Sequence, residues 1–169
     1  MHAAAYSEGL NFKNIFVPTW AAAFSAFGCA CAEYSDRIDY QIDFPISADL
    51  REGEMLLMIV NQVLDGLKAA LEQELLKQGL DLTRVVFKPA ARMQYRGQLD
   101  DLELLMPAYP MTGKDLEKLC ETFNDLYGKI FPASAKSPEL GYLITRCVAH
   151  GVYPTRRPIL RKHRLATLA

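Results

Sequence analysis

The chain has 169 residues, half of them apolar and 23% charged, which excludes a disordered or low-complexity polypeptide and fits one globular domain with an appendage. Its formal net charge of −1 gives no basis for general affinity for nucleic acid or for a membrane surface. The apolar part of the longest uncharged stretch, residues 17–32, holds Pro, Thr, Ser and Gly and is too short to cross a bilayer. With no basic leader ahead of an apolar core, a cytoplasmic protein is expected.

In chain order, Met1, Ala4 and Ala5 fall at one-turn spacing and Gly9 is a natural stop, so a short helix comes first. A strand at 15–17 follows, ended by Pro18. Residues 20–32 carry no charge and read as an apolar helix buried on nearly every side. A helix, a strand and a helix of this size cannot make a core of their own. The expectation is a segment whose missing walls come from another polypeptide. Trp20, Phe24 and Phe27 are its anchors, because aromatics bury well at obligate interfaces.

Beyond Ala32 the pattern alternates. Residues 37–44 put Ile38, Tyr40, Ile42 and Phe44 on one face of a half-buried strand, closed by Pro45. Ser47 or Asp49 caps a long helix over 52–78, with Leu56, Val60, Val63, Leu67, Leu71 and Leu75 as its apolar stripe and Gly79 as its stop. Strands at 84–87 and 91–95 are split by Pro89, and a hairpin turn falls at Arg96-Gly97-Gln98. A further strand spans 99–106, with Asp100-Asp101 as a turn or bulge. A second helix runs over 114–130 with Leu116, Leu119, Phe123, Leu126 and Tyr127 inward, and a last strand covers 140–148.

The fold class is therefore α+β. A short α-β-α appendage (1–34) precedes a domain (35–155) with one antiparallel sheet and helices packed on one face. A basic tail (156–169) carries Arg156, Arg157, Arg161, Lys162 and Arg164. A solvated terminus or a subunit contact accounts for that tail more simply than nucleic acid does.

Few residues point to chemistry. The pair Cys29-x-Cys31 invites a metal reading, but zinc sites use longer gaps and four ligands, so all four cysteines are expected as buried thiols. His2, His150 and His163 show no orienting acceptor, and a general base needs one. There is no nucleophile elbow, P-loop, dinucleotide fingerprint or His-Glu-x-x-His. Gly97 at a turn serves the backbone, and a structural role for Tyr95-Arg96-Gly97-Gln98 is favoured over substrate contact.

Met1-His2-Ala3-Ala4-Ala5, Val17-Pro18 and Ala22-Ala23-Phe24-Ser25-Ala26-Phe27-Gly28 resemble a stretch near the carboxyl end of the hydantoinase A family. That family includes ATP-dependent subunits of N-methylhydantoinase, 5-oxoprolinase, and acetone and acetophenone carboxylases. Met93-x-Tyr95-x-Gly97-Gln98 and Phe123-x-x-Leu126-Tyr127-Gly128 match two further family elements, and Ser137-Pro138-Glu139-Leu140-Gly141-Tyr142 resembles the acetone and acetophenone carboxylase branch more than the hydantoinases. Taken as a whole, the chain resembles acetophenone carboxylase first and acetone carboxylase next. Where the family motif has Arg before Tyr95, this chain has Gln94, so no charged role carries over to that position.

In the family a glycine-rich loop of an actin/sugar-kinase-type ATP site directly precedes the Met-His-Ala element. The resemblance thus implies a small non-catalytic subunit of an ATP-dependent ketone carboxylase, whose residues 1–34 complete the ATP domain of a larger subunit. It implies that His2 lies near that domain. ATP and Mg would belong to the assembled complex, with no cofactor bound by this chain alone. Larger ATP-binding and carboxylating subunits are the expected partners. Two alternatives stand beside it: a subunit of a hydantoinase/oxoprolinase-type hydrolase, and an independent metal- or thiol-dependent protein using Cys29 and Cys31.

Overall fold

A computed structural model describes residues 3–17 and 21–155. They fall into two compact units, one of Glu33–Pro154 and one holding the chain up to Ala32 together with Thr155. No helix among the described residues is long and apolar enough to cross a membrane.

The N-terminal unit contains a single-turn helix α1 (Ala3–Ser7) and a second helix α2 (Phe24–Cys31), which a 3-10 turn at Ala21–Ala23 leads into. The expected strand at 15–17 does not form. Three extended residues need a neighbouring strand to hydrogen-bond, and the described residues of this unit provide none. Nor is α2 enclosed as expected: it holds no buried residue, and Phe24 is 56% exposed.

The larger unit is a two-layer α/β sandwich. Its strands are β1 (Tyr34–Ile46), β2 (Val86–Tyr95), β3 (Leu102–Leu105) and β4 (Tyr142–Tyr153), all antiparallel in the order β1-β4-β2-β3. Helices α3 (Gly53–Lys77) and α4 (Gly113–Ile130) cover one face. Beneath them Ala91, Met93 and Tyr95 of β2 and Tyr142, Ile144, Cys147 and Ala149 of β4 meet Leu56, Leu64 and Leu71 of α3 and Leu116, Leu119 and Phe123 of α4. Asn61 ties α3 to the loop that leads into α4, its amide clamping the Met111 backbone at 2.8 and 3.0 Å. The Thr112 hydroxyl and Asp115 carboxylate form a capping box that starts α4.

All four strands depart from expectation, each for a local reason. β3 begins only at Leu102, not at 99, because the turn after Gly97 continues to Asp101. β1 runs through Pro45, which pairs with Leu143. A proline is tolerated there because β1 is an edge strand. A register shift lies between Gln41 and Phe44, where Asp43 takes φ of 44°. Pro89 likewise does not split β2; its carbonyl accepts the Met106 N–H at 2.9 Å just beyond the end of β3, where a missing N–H costs no ladder bond. The last strand reaches Tyr153, because Gly151 lies directly under Leu71 and Leu75 and gives α3 room to approach.

Candidate functional site

The motif Tyr95-x-Gly97-Gln98 sits where β2 turns beneath α4. Tyr95 is fully buried and meets Phe123 and Tyr127 edge-on, with ring centroids 4.9 and 4.8 Å apart. Its hydroxyl donates to Asn124 Oδ1 at 2.7 Å, and Asn124 Nδ2 donates to the Tyr142 hydroxyl at 3.0 Å. Burial, reinforced by the neighbouring Tyr142 and Tyr127, pushes the Tyr95 phenol up to about 12.

Gly97 turns the chain with φ of 82°, and the Arg96 N–H donates to the Gly141 carbonyl at 3.1 Å. Gln98 then ties three segments together. Its Nε2 donates to the Ala135 carbonyl at 2.8 Å, its Oε1 accepts the Tyr127 hydroxyl at 2.6 Å, and its main-chain carbonyl accepts Gln94 Nε2 at 2.5 Å. These contacts make Tyr95, Gly97 and Gln98 a clamp between the β2 turn, α4 and the loop before β4.

A second constellation, which the sequence reading missed, covers the sheet face away from the helices. Glu103 of β3 accepts Arg37 Nη2 at 3.0 Å and bonds His150 Nε2 at 2.8 Å. Arg146 Nη1 meets Asp39 at 2.6 Å, and Asp101 joins Arg92 Nη2 at 2.5 Å and the Thr145 hydroxyl at 2.8 Å. Arg92 Nε is enclosed without a hydrogen-bond partner among the described residues. The alternate spacing of Arg37 with Asp39 was the available signal, since i and i+2 share a strand face. These charges neutralise one another across strands, and most are partly solvated, so each pair adds little stability.

His2 and Trp20 lie outside the described residues, as does the basic tail. Phe24 and Phe27 are both on α2, the first exposed and the second half-buried. The same unit exposes Leu10, Phe12, Ile15 and Phe16, the last to 89%. Cys120 and Cys147 are buried, and burial raises both thiols to about 12. The expectation of four buried thiols fails at α2, where Cys29 is exposed and Cys31 half-buried, because nothing described encloses that helix. Among the described residues no three His, Cys, Asp or Glu gather into a metal-holding group.

A four-stranded antiparallel sheet under two helices, closed by this Tyr-Gly-Gln clamp, defines the class. The family model described as the hydantoinase/oxoprolinase C-terminal domain matches residues 48–169, and the chain belongs to that family. It is 38% identical over 165 residues to the acetone carboxylase beta subunit of Xanthobacter autotrophicus, covering 96% of this chain and 23% of that one. The nucleotide-free structure of acetone carboxylase superposes with a TM-score of 0.85 at 37% identity, over 96% of this chain and 23% of the other. An ATP-dependent caprolactamase from Pseudomonas jessenii shares the fold, with a TM-score of 0.68 at 21% identity over 88% of this chain and 21% of its own. The chain thus spans less than a quarter of the length of the relatives it matches.

Proposed function

We propose that this chain is a small, non-catalytic subunit of an ATP-dependent ketone carboxylase, completing and bracing a larger ATP-binding subunit. The observation that carries this reading is the N-terminal unit. Its helix α2 bears no charge and holds no fully buried residue; Phe24 at its start and Phe12, Ile15 and Phe16 ahead of it stand exposed. Isolated apolar residues on a surface are ordinary, but a run of this density marks an interaction surface. The docking segment comprises His2, Trp20, Phe24 and Phe27 with these neighbours. Covering about 800 Å² of it contributes roughly 20 kcal/mol of gross hydrophobic free energy before association costs.

The similarity to an acetone carboxylase beta subunit supports the carboxylase assignment. Acetone is therefore the first ketone to assay and acetophenone the second, since residues 137–142 resemble the branch that holds both carboxylases. ATP and Mg act in the assembled complex, on the larger subunits. A second reading, ATP-dependent hydantoinase- or oxoprolinase-type hydrolysis by the same assembly, draws on the family's description.

Purification from the native host followed by native mass spectrometry tests the proposal. Co-isolation with larger subunits that carboxylate a ketone when given ATP is expected. Phe16→Asp and Phe24→Asp should abolish co-isolation while leaving the circular dichroism of the sandwich unchanged. Recovery without larger subunits, carrying stoichiometric zinc on Cys29 and Cys31, would overturn it.

A further inference from the structure

The strand at the edge of the sheet, β1, has an unoccupied side among the described residues of the sandwich. It is regular from Tyr34 to Gln41, where the register shift begins. Long exposed edges invite pairing, and proteins blunt them with charge. Of the three charges there, Asp36 lies on the helix face opposite Gly151, while Arg37 and Asp39 share the other face with opposite signs two residues apart. We propose that a second copy of this chain docks on this edge, across a two-fold axis at Ile38, to form a continuous eight-stranded sheet. This inference stands apart from the proposed docking of the N-terminal unit.

Three observations fix the occupant and the register. A two-fold axis normal to the sheet keeps each side chain on its own face, so only pairings that oppose like-facing residues are open. With the axis at Ile38, Arg37 of each copy opposes Asp39 of the other, twice per interface. Shifting the axis by one residue opposes Arg37 to Arg37, or Asp39 to Asp39, which is unfavourable. The favoured register pairs residues 35–41 with their counterparts, and it ends where the regular part of β1 ends.

The helix beneath agrees with this placement. Tyr34 hydrogen-bonds Gln78 at one end of α3, while Tyr40 borders Ile59, Gln62, Val63 and Gly66 in a groove of about 500 Å³. The helix therefore runs antiparallel to β1, and Ile38 lies level with residues 66–70. That turn presents Gly66, Ala69 and Ala70, all exposed and uncharged, and a Cβ added at Gly66 meets nothing.

The spacing follows from the same geometry. Because α3 packs against both β1 and β4, it sits under the gap between them. With strands about 4.8 Å apart, the two copies of α3 lie roughly 10 Å apart, which is the distance at which helices pack. Their crossing at small residues suits that close approach. Charge matching, strand length and helix spacing thus converge on a second copy of the chain.

Sedimentation equilibrium of the full chain is expected to show a dimer of the 19.0 kDa protomer. Arg37→Asp and Asp39→Arg each place like charges opposite one another and weaken the dimer about tenfold or more. Combining the two substitutions restores it, with the signs exchanged across the axis. A purely intrachain role predicts the reverse, since Glu103 and Arg146 would both lose their partners in the double variant. Gly66→Arg, at an open helical position, should keep the fold and also weaken the dimer. A monomer, a dimer indifferent to all these changes, a double variant weaker than either single one, or displacement of a larger subunit by Arg37→Asp would each overturn the proposal.

Discussion

The side-chain carbonyl of Gln98 accepts the Tyr127 hydroxyl at 2.6 Å, so the turn after β2 is pinned to the last turns of α4. The same side chain donates to the Ala135 carbonyl at 2.8 Å. Gln98→Ala leaves both groups without their partner and should lower stability by about 2 kcal/mol. At this chain length that is roughly 4–8 °C in melting temperature. Tyr127→Phe removes one of the two bonds and should cost about half as much, as thermal denaturation will show.

Two glycines should respond in opposite directions to alanine. Gly141 takes φ of 77° and ψ of −166°, and a Cβ there would run into the Ile46 carbonyl oxygen. Gly141→Ala should therefore cost more than about 3 kcal/mol, combining backbone strain with a steric clash. Gly66 lies inside α3 with open space around it, so Gly66→Ala should stabilise the chain by roughly 0.5–1 kcal/mol. Urea titrations of both variants give the comparison.

Alkaline pH should unfold the sandwich earlier than its surface charge suggests. Burial raises the Cys120 and Cys147 thiols from 9.0 to about 12 and the Tyr95 phenol from 10.0 to about 12. The folded state thus holds protons that the unfolded chain has released, and stability declines from pH 9.0 towards about 12. Each thiol contributes a slope of up to about 1.4 kcal/mol per pH unit. Denaturant midpoints measured from pH 8 to 11 should fall, and Cys120→Ala should flatten the decline. On the acid side, the Thr112 hydroxyl and N–H hold the Asp115 carboxyl below its usual value of 3.8. Its contribution is present above that value and is lost as pH falls through the folded pKa, so Asp115→Asn should remove that part of the acid slope.

Thiol labelling should separate the four cysteines into two pairs. Cys29 and Cys31 are accessible and should react with a chromogenic disulfide in the native chain, Cys29 the faster. Cys120 and Cys147 should react only as the sandwich unfolds. In a complex with larger subunits, slower labelling of Cys29 would report burial of α2.

The sequence showed the elements of the sandwich more clearly than their ends. Helix periodicity located α3 and α4 to within a residue, because Gly79 and the stripe from Leu56 to Leu75 leave little choice. Within that stripe Leu64 is buried while Val63 turns toward the groove beside Tyr40, a difference of one position that a repeating pattern does not resolve. Strand ends were harder to read. Pro45, Pro89 and Gly151 all look like interruptions, yet each sits where the sheet tolerates or needs it: an edge, the end of a neighbouring strand, and a close helix contact. Leu99, expected in a strand, is instead 96% exposed, because the turn after Gly97 continues to Asp101. The Tyr95 clamp was legible as a motif, whereas its partners Asn124 and Ala135 are distant in sequence and only folding brings them there. The charged sheet face was missed for the same reason, since Glu103 gains its role from strands that precede and follow it by many residues.

The strand order carries a consequence for how the chain is made. The last of the described strands to be synthesised, β4, lies between β1 and β2, and Asp39 must wait for Arg146 across a separation of 107 residues. Until then β1 has no strand to pair with, and the hairpin of β2 with β3 lacks its other flank. Such distant pairing makes for slow closure and leaves sticky edges uncovered during synthesis. A nascent chain of this kind is a natural client for chaperones, and a stop codon anywhere before Tyr142 would remove the strand that joins β1 to the rest of the sheet.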